Sequence, residues 1–425
     1  MQFETTCDLE ELGRSVPKFL ALVGNDRWLK RVSQLDEEQR ASPYRWRIVL
    51  DYHWLEMDLA HQADILLQRG DLDPVRVDSH ALVCLQFAST VVNTHGQLSG
   101  KGQGVLEGRL RDALKAETGF ASLFLEVDLA RRLMAMGYDV QWPDMEGTGQ
   151  FDLVFEKGMF VAEIECKSLS ADAGRQIHRK DFYRLVEFIS PALDAHLQGL
   201  QQQVVSVTLR NRLSPDLGEQ DELRRLVVEM LSPGSVRTTL QTARFRIERT
   251  PLIEALGPVR PATEDELHSA CKRVFGPNAH TAGKLSEHGG CLIVMRSERE
   301  DDTSKPLLEA MRKATTQFTG TRPAFIAVQL NELQPQELLL PHVQRRAAIL
   351  SHALFSNYSQ GHVNAAIFSG FNARVLPSDR FGQAGFAVIN PMPSFALDPY
   401  VLHGVLSAVA AEQPLEPGSL SGREG

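Results

Sequence analysis

Along the segment FVAEIECKS, Phe160 to Ser168, apolar and charged residues alternate: Ala162, Ile164 and Cys166 fall on one side, Glu163, Glu165 and Lys167 on the other. A period of two is that of a β-strand, whose successive side chains point to opposite faces. Just upstream, YDVQW and QFDLVFE read as two further strands, with Lys157 and Gly158 as the turn into MFVAEIEC. Elsewhere the period lengthens. In YRWRIVLDYHWLEMDLAHQADILLQRG the residues Trp46, Val49, Leu50, Trp54, Met57 and Leu59 recur at helical spacing, which predicts a helical N-terminal module over 1–93. The glycine-rich polar run NTHGQLSGKGQG predicts a linker over 94–104. VLEGRLRDALKAE and ASLFLEVDLARRLMAMG predict two helices, RQIHRKDFYRLVEFISPALDAHLQGL another, and QVVSVTL a strand. Mixed helix and strand signals continue over 211–410, predicting a C-terminal α/β region, and the tail 411–425 has the composition of a disordered segment.

A chain of 425 residues exceeds what one hydrophobic core usually supports, so two or three domains are expected. Hydrophobic residues at 43% and charged residues at 23% are ordinary globular values and exclude a fibrous or wholly disordered chain. The formal charge of −9 confines any nucleic-acid binding to a local patch. Five scattered cysteines without a CxxC pair fit neither a disulfide framework nor a zinc ribbon and read as reduced thiols. The N-terminus is acidic where a signal peptide is basic and then apolar, and no run approaches 18 apolar residues, so no membrane association and a cytoplasmic location are expected.

The alternation matters because of what it gathers. With Lys157 and Gly158 as a two-residue loop, Glu156 faces Met159, and Asp152 becomes the direct cross-strand partner of Glu163 and the diagonal neighbour of Glu165. Phe151, Leu153 and Phe155 then share the apolar side, while Asp152, Glu163, Glu165 and Lys167 share the other. Carboxylates so close repel one another unless a cation lies among them. With no His or Cys ligand in the set, Mg²⁺ or Mn²⁺ suits these oxygens better than zinc. A solvated charged face on an antiparallel strand is the plainer alternative.

Asp152, followed thirteen residues later by Glu165-Cys166-Lys167, resembles the signature of the PD-(D/E)xK nuclease superfamily, which includes restriction endonucleases and archaeal Holliday-junction resolvases. The helix FLEVDLARRLMAMGYDV is similar to that superfamily's first helix, with Glu126 in its acidic position, and Phe151 stands where the family often has proline. The resemblance spans 105–210. It implies an α/β fold with a restriction-endonuclease-like αβββαβ core, flanked here by the helical N-terminal module and the C-terminal α/β region. The implied activity is that of an Mg²⁺-dependent endonuclease hydrolysing phosphodiester bonds, with DNA the expected substrate. Asp152 and Glu165 would hold Mg²⁺ (or Mn²⁺) together with the main-chain carbonyl of Cys166, the ion polarising the phosphate and acidifying a bound water. Lys167 would stabilise charge developing on phosphorus. Glu126 would serve a second ion or a water beside the first, and Glu163 would tune the site or bind a second ion.

After the motif, Arg175, Arg179 and Tyr183 stand at i, i+4 and i+8, with His178 and Lys180 beside them, and together they form the expected phosphate-binding face. Gln176 or His178 could also reach the site, as polar residues of that helix often do in the superfamily. Two other readings stay open: a catalytically degenerate nuclease-fold module acting in nucleic-acid or protein binding, and a carboxylate-metal hydrolase of a smaller phosphoester. A second copy or a protein partner meeting the N- or C-terminal region is likewise left open. Gly96 to Lys101 is one residue short of a phosphate loop, and His53, Glu56 and His61 do not share one helix face.

Overall fold

The computed structural model describes residues 9–410 apart from 73–76, 171, 198, 200, 233–236, 258–263, 277, 288, 332–337, 357–359 and 372–382. The predicted tail at 411–425 lies outside the described residues, as does Cys7, and the other four cysteines are free and buried. The chain is mixed α/β with two mixed sheets, and it divides into two compact units. Met1–Glu37, Val49–Ala171 and Ser304–Gly425 form the first, Glu38–Ile48 and Asp172–Thr303 the second.

The chain begins with six helices, α1 (Leu9–Val23), α2 (Asn25–Ala41), α3 (Pro43–Arg69), α4 (Ser79–Gln97), α5 (Gly100–Ala113) and α6 (Ala121–Ala135), all in the first unit except the end of α2 and the start of α3, which fall in the second. Then come β1 (Asp139–Gln141), the short α7 (Pro143–Glu146), β2 (Leu153–Lys157) and β3 (Phe160–Ser170). The second unit holds α8 (Arg179–Leu197), β4 (Gln202–Leu209), α9 (Leu217–Leu231), β5 (Thr239–Gln241), β6 (Phe245–Pro251), α10 (Leu252–Leu256), α11 (Glu264–Phe275), β7 (His280–Leu285) and β8 (Gly290–Ser297). The chain returns to the first unit with α12 (Ser304–Thr315), β9 (Ala324–Asn331), α13 (Pro341–Phe355), β10 (Val363–Phe371), β11 (Gln383–Ile389) and α14 (Pro399–Ala410).

Sheet order in the first unit is β1-β2-β3-β9-β10-β11, with β3, β9 and β10 parallel and the flanking pairs antiparallel. Leu153, Phe155, Ala162, Ile164, Phe325 and Ile367 pack one face of this sheet onto Phe124, Val127 and Leu133 of α6 and onto the α1–α5 helices. Ile326, Val328, Ala366 and Phe368 pack the other face onto Leu307 and Met311 of α12 and Leu354 of α13. In the second unit the order is β5-β6-β4-β8-β7. One face of that sheet is covered by Phe182, Leu185 and Ile189 of α8 with Val227 of α9, the other by Leu252 and Cys271 of α10 and α11.

The domain and linker boundaries differ from those expected at three places. The helices over 1–93 are not a module of their own, because Phe19, Phe87 and Val91 share one core with α6 and the sheet. The 94–104 linker is helical: α4 continues to Gln97, and α5 starts at Gly100 with Ser99 as its cap, accepting the Gly102 N–H at 3.2 Å. The 105–210 boundary also moves. Helix α8 and strand β4 belong to the second sheet, and the strand that continues the first is β9, reached through α12. Strand–strand pairing across a long insertion leaves no local signal, which is why 211–410 read as one region.

The hairpin register differs as well. Lys157 pairs with Phe160 and Val154 with Glu163, so the loop is Gly158-Met159 rather than Lys157-Gly158. Gly158 has φ +65°, the left-handed conformation that two-residue hairpin loops require, and it takes the first loop position. The shift is by two residues, so each side chain keeps its face. Asp152, just before β2, thereby comes level with Glu165 instead of Glu163.

Candidate metal centre

Strand β3 carries Glu163, Glu165 and Lys167 on one side, yet that side is not solvated: Glu163 is 0% and Glu165 1% exposed. On that side Ile326 and Val328 of β9, level with Glu165 and Lys167, pack against Leu307 and Met311 of α12. A buried carboxylate must be paired or must bind a cation. The two glutamates meet that demand differently.

Glu163 is satisfied by protein. Its carboxylate accepts the Thr319 N–H at 3.0 Å and the Thr319 hydroxyl at 2.6 Å, and Arg322 Nε lies 3.1 Å away. Its bonds tie down the turn between α12 and β9, so the structure gives it no place in an ion site. Glu165 receives Lys167 Nζ on Oε1, while its Oε2 is buried with no hydrogen-bond partner. Lys167 is also held by Gln317 Oε1 at 2.7 Å, and Gln317 in turn donates to the Gln150 carbonyl at 2.8 Å.

Around Glu165 the chain assembles three more acids. Asp152, 7% exposed, accepts the Cys166 N–H on Oδ2 at 2.7 Å, which locks it against β3. Glu126 comes from α6, a helix so enclosed that eight of its apolar and acidic neighbours in sequence from Leu123 to Leu133 are buried with it. Asp144 comes from α7, where its Oδ1 caps the Met145 N–H at 2.7 Å. One oxygen each of Glu126, Asp144 and Asp152 lie within 4.8 Å of one another. Arg109 of α5 spans two of them, with Nη1 2.7 Å from Glu126 Oε2 and Nη2 bonded to Asp144 Oδ2.

The electrostatics follow from burial. Removal from water pushes the Glu165 carboxyl up to about 8, with the nearby Asp152 adding to the rise and Lys167 opposing it. Burial raises Glu126 well above the usual carboxylate range, with Asp152 adding to it and Arg109 opposing. Asp144 and Asp152 are raised by burial too, against the hydrogen bonds from Arg109 and the Cys166 N–H respectively. With all four ionised, Arg109 and Lys167 leave two negative charges uncompensated. All donors are hard oxygens, Glu165 lies beside Asp152, and its Oε2 is buried without a hydrogen-bond donor, so the set fits a divalent Mg²⁺ or Mn²⁺ ion.

Asp144, Arg109 and Gln317 carry no signal in the strand alternation. Asp144 follows a proline in WPDMEG, a helix-start pattern whose only readable role is capping. The expected phosphate-binding residues lie in the second unit, whereas the acids lie in the first. There, Arg175 precedes α8 rather than sharing its face, and the Arg179 side chain lies 3.5 Å from Asp172. His178 Nδ1 stands 4.0 Å from Asp181, and Lys180 is in the first turn of α8. Tyr183 is 6% exposed and packs on Phe182 in the core, so it is not part of an outward cationic face. Gln176 donates its N–H to Asp301 at 2.8 Å, and the polar residue that reaches Lys167 is Gln317, between α12 and β9, instead.

Comparison of the chain with protein-family models, with curated proteins and with solved structures gave no match. Among the described residues no helix is long and apolar enough to cross a membrane.

Proposed function

We infer that the chain is a metal-dependent nuclease with a restriction-endonuclease-like core. The observation that carries the reading is the buried Oε2 of Glu165, which has no hydrogen-bond donor, beside Asp152 in a cluster of four buried or half-buried acids. The order α6, β1, β2, β3, α12, β9 supports it: helix, antiparallel hairpin strands, helix, then a strand parallel to β3, with Asp172–Thr303 inserted between β3 and α12.

Asp152 and Glu165, with the main-chain carbonyl of Cys166, would hold Mg²⁺ or Mn²⁺. The ion supplies positive charge to a phosphoryl oxygen and makes a neighbouring water more acidic. The chain's own part is positioning. The Cys166 N–H fixes Asp152, and Gln317, anchored on the Gln150 carbonyl, holds the Lys167 ammonium beside Glu165. An ammonium there is available to the charge that develops on phosphorus. DNA is the proposed substrate.

The test is cleavage of supercoiled plasmid and of single-stranded DNA in Mg²⁺, in Mn²⁺ and in EDTA, with Asp152→Asn alongside. Metal-dependent cleavage lost in Asp152→Asn supports the reading. Equal turnover by parent and variant removes it.

A further inference from the structure

The acidic cluster already contains a cation of its own. Arg109 reaches Glu126 with Nη1 and Asp144 with Nη2, so one guanidinium spans two of the three acids whose oxygens lie within 4.8 Å of one another. A planar fork bonded to two carboxylates neutralises charge and fixes the separation of the oxygens, which is also what a bound ion does. Burial acts against the charged guanidinium, but Glu126 and Asp144 outweigh it and hold the proton more firmly than usual. Glu126 Oε2 and Asp144 Oδ2 are therefore occupied. The other two acids differ: Asp152 Oδ2 accepts a main-chain N–H from Cys166, and Glu165 Oε2 has no hydrogen-bond donor. With all four acids ionised, the state a bound cation favours, the net charge of two matches a single divalent ion, and the oxygen that lacks a hydrogen-bond donor is on Glu165.

On the reading of this cluster as a metal centre, we propose that Arg109 stands in the place of a second ion, so that the centre takes one divalent ion, held by Asp152 and Glu165. Arg109 is then a positioning residue. It keeps Glu126 and Asp144 from binding metal and holds them beside Asp152 without touching the reacting phosphate. Removing its charge leaves three negative charges in the cluster and frees two carboxylates, which are the conditions for a second ion.

The experiment counts ions rather than turnover. The full chain, stripped with EDTA, is titrated with Mn²⁺ by calorimetry, and bound Mn²⁺ is counted by electron paramagnetic resonance. The parent is expected to bind one ion per chain. Arg109→Gln is expected to bind two, and Arg109→Lys, which keeps the charge, one. Glu126→Gln in the otherwise native chain is expected to keep its one ion, and it decides the matter together with Arg109→Lys if Arg109→Gln fails to fold. Two ions in the parent or in Arg109→Lys, one ion in folded Arg109→Gln, or loss of the ion in Glu126→Gln overturns the proposal while leaving a metal centre. No ion in the parent at millimolar Mn²⁺ removes the metal centre itself, and the proposal with it.

Discussion

Glu163 and Glu165 share a side of β3 and are equally buried, yet their partners give them unlike work. Glu163→Gln keeps a hydrogen bond from Thr319 but leaves Arg322 without its charge partner, so it is expected to cost about 1–3 kcal/mol of stability. Its Mn²⁺ binding should stay at the parent's level, and a chemical-denaturation curve beside a Mn²⁺ titration checks both. Glu165→Gln should do the reverse, losing the ion and with it several kcal/mol of transition-state stabilisation, about 10³-fold in single-turnover cleavage. Lys167→Met should bind Mn²⁺ as the parent does and fail in chemistry, because it removes a charge from the reacting phosphate rather than a ligand. If Glu163→Gln alone loses the ion, the assignment of ligands is wrong. Alternation along one strand was enough to group Glu163, Glu165 and Lys167, because the pleat enforces it locally. Nothing local distinguishes the two glutamates. Thr319 and Arg322, which claim Glu163, come from beyond the insertion, and Arg109 and Asp144 meet Glu126 only when α5 and α7 pack beside α6.

At the scale of elements, the strands around the motif and the helix carrying Glu126 were legible, because each has a clear period and a glycine or turn to end it. The glycine run before α5 misled for a physical reason. Each glycine lowers helix propensity by about 1 kcal/mol relative to alanine, which argues for a linker, but tertiary contacts override propensity. Gly102 is buried against the α7 segment: a Cβ there would sit 2.8 Å from Glu146 Oε1 and 3.1 Å from Leu98 Cβ. Glu146 in turn accepts the Ser99 N–H at 2.8 Å at the start of α5. The absence of a side chain at Gly102 therefore lets α7 close onto α5, next to the Arg109–Asp144 bond. Gly102→Ala gains the same helix propensity as Gly104→Ala but must displace the Glu146 carboxylate and crowd Leu98, so it is expected to be the less stable of the two variants. Gly104→Ala meets nothing within 4 Å and should gain a few tenths of a kcal/mol or more from propensity alone. Urea denaturation of the two variants separates the effects, and equal stabilities would mean that the contact with Glu146 does not constrain the helix.

At the scale of the molecule, two units with separate cores predict that unfolding is not a single transition. That division was the least legible feature, since β3 pairs with β9 across the whole of Asp172–Thr303 and only the long-range register reveals which strands belong together. Of the four tryptophans, Trp28, Trp54 and Trp142 lie in the first unit, so intrinsic fluorescence follows mainly the unit with the acidic cluster. The cluster fixes how that transition responds to pH. Glu126, Asp144, Asp152 and Glu165 are all raised in the folded chain, Glu165 from 4.5 to about 8. A carboxyl whose folded pKa lies above its unfolded one keeps its proton in the native state when the unfolded chain has released it, so stability falls as pH rises between the two values. In EDTA the fluorescence melting temperature should accordingly decline from about pH 5 to pH 8, over the window set by Glu165. A bound divalent ion favours the ionised carboxylates, so saturating Mn²⁺ should restore stability most at pH 8 and least at pH 5, by about 2.7 kcal/mol at a hundredfold excess over Kd. Glu165→Gln should flatten the EDTA slope and abolish the Mn²⁺ response together, because one carboxyl underlies both. A slope that Mn²⁺ leaves unchanged would detach the buried acids from metal binding and return them to the role of a structural polar network.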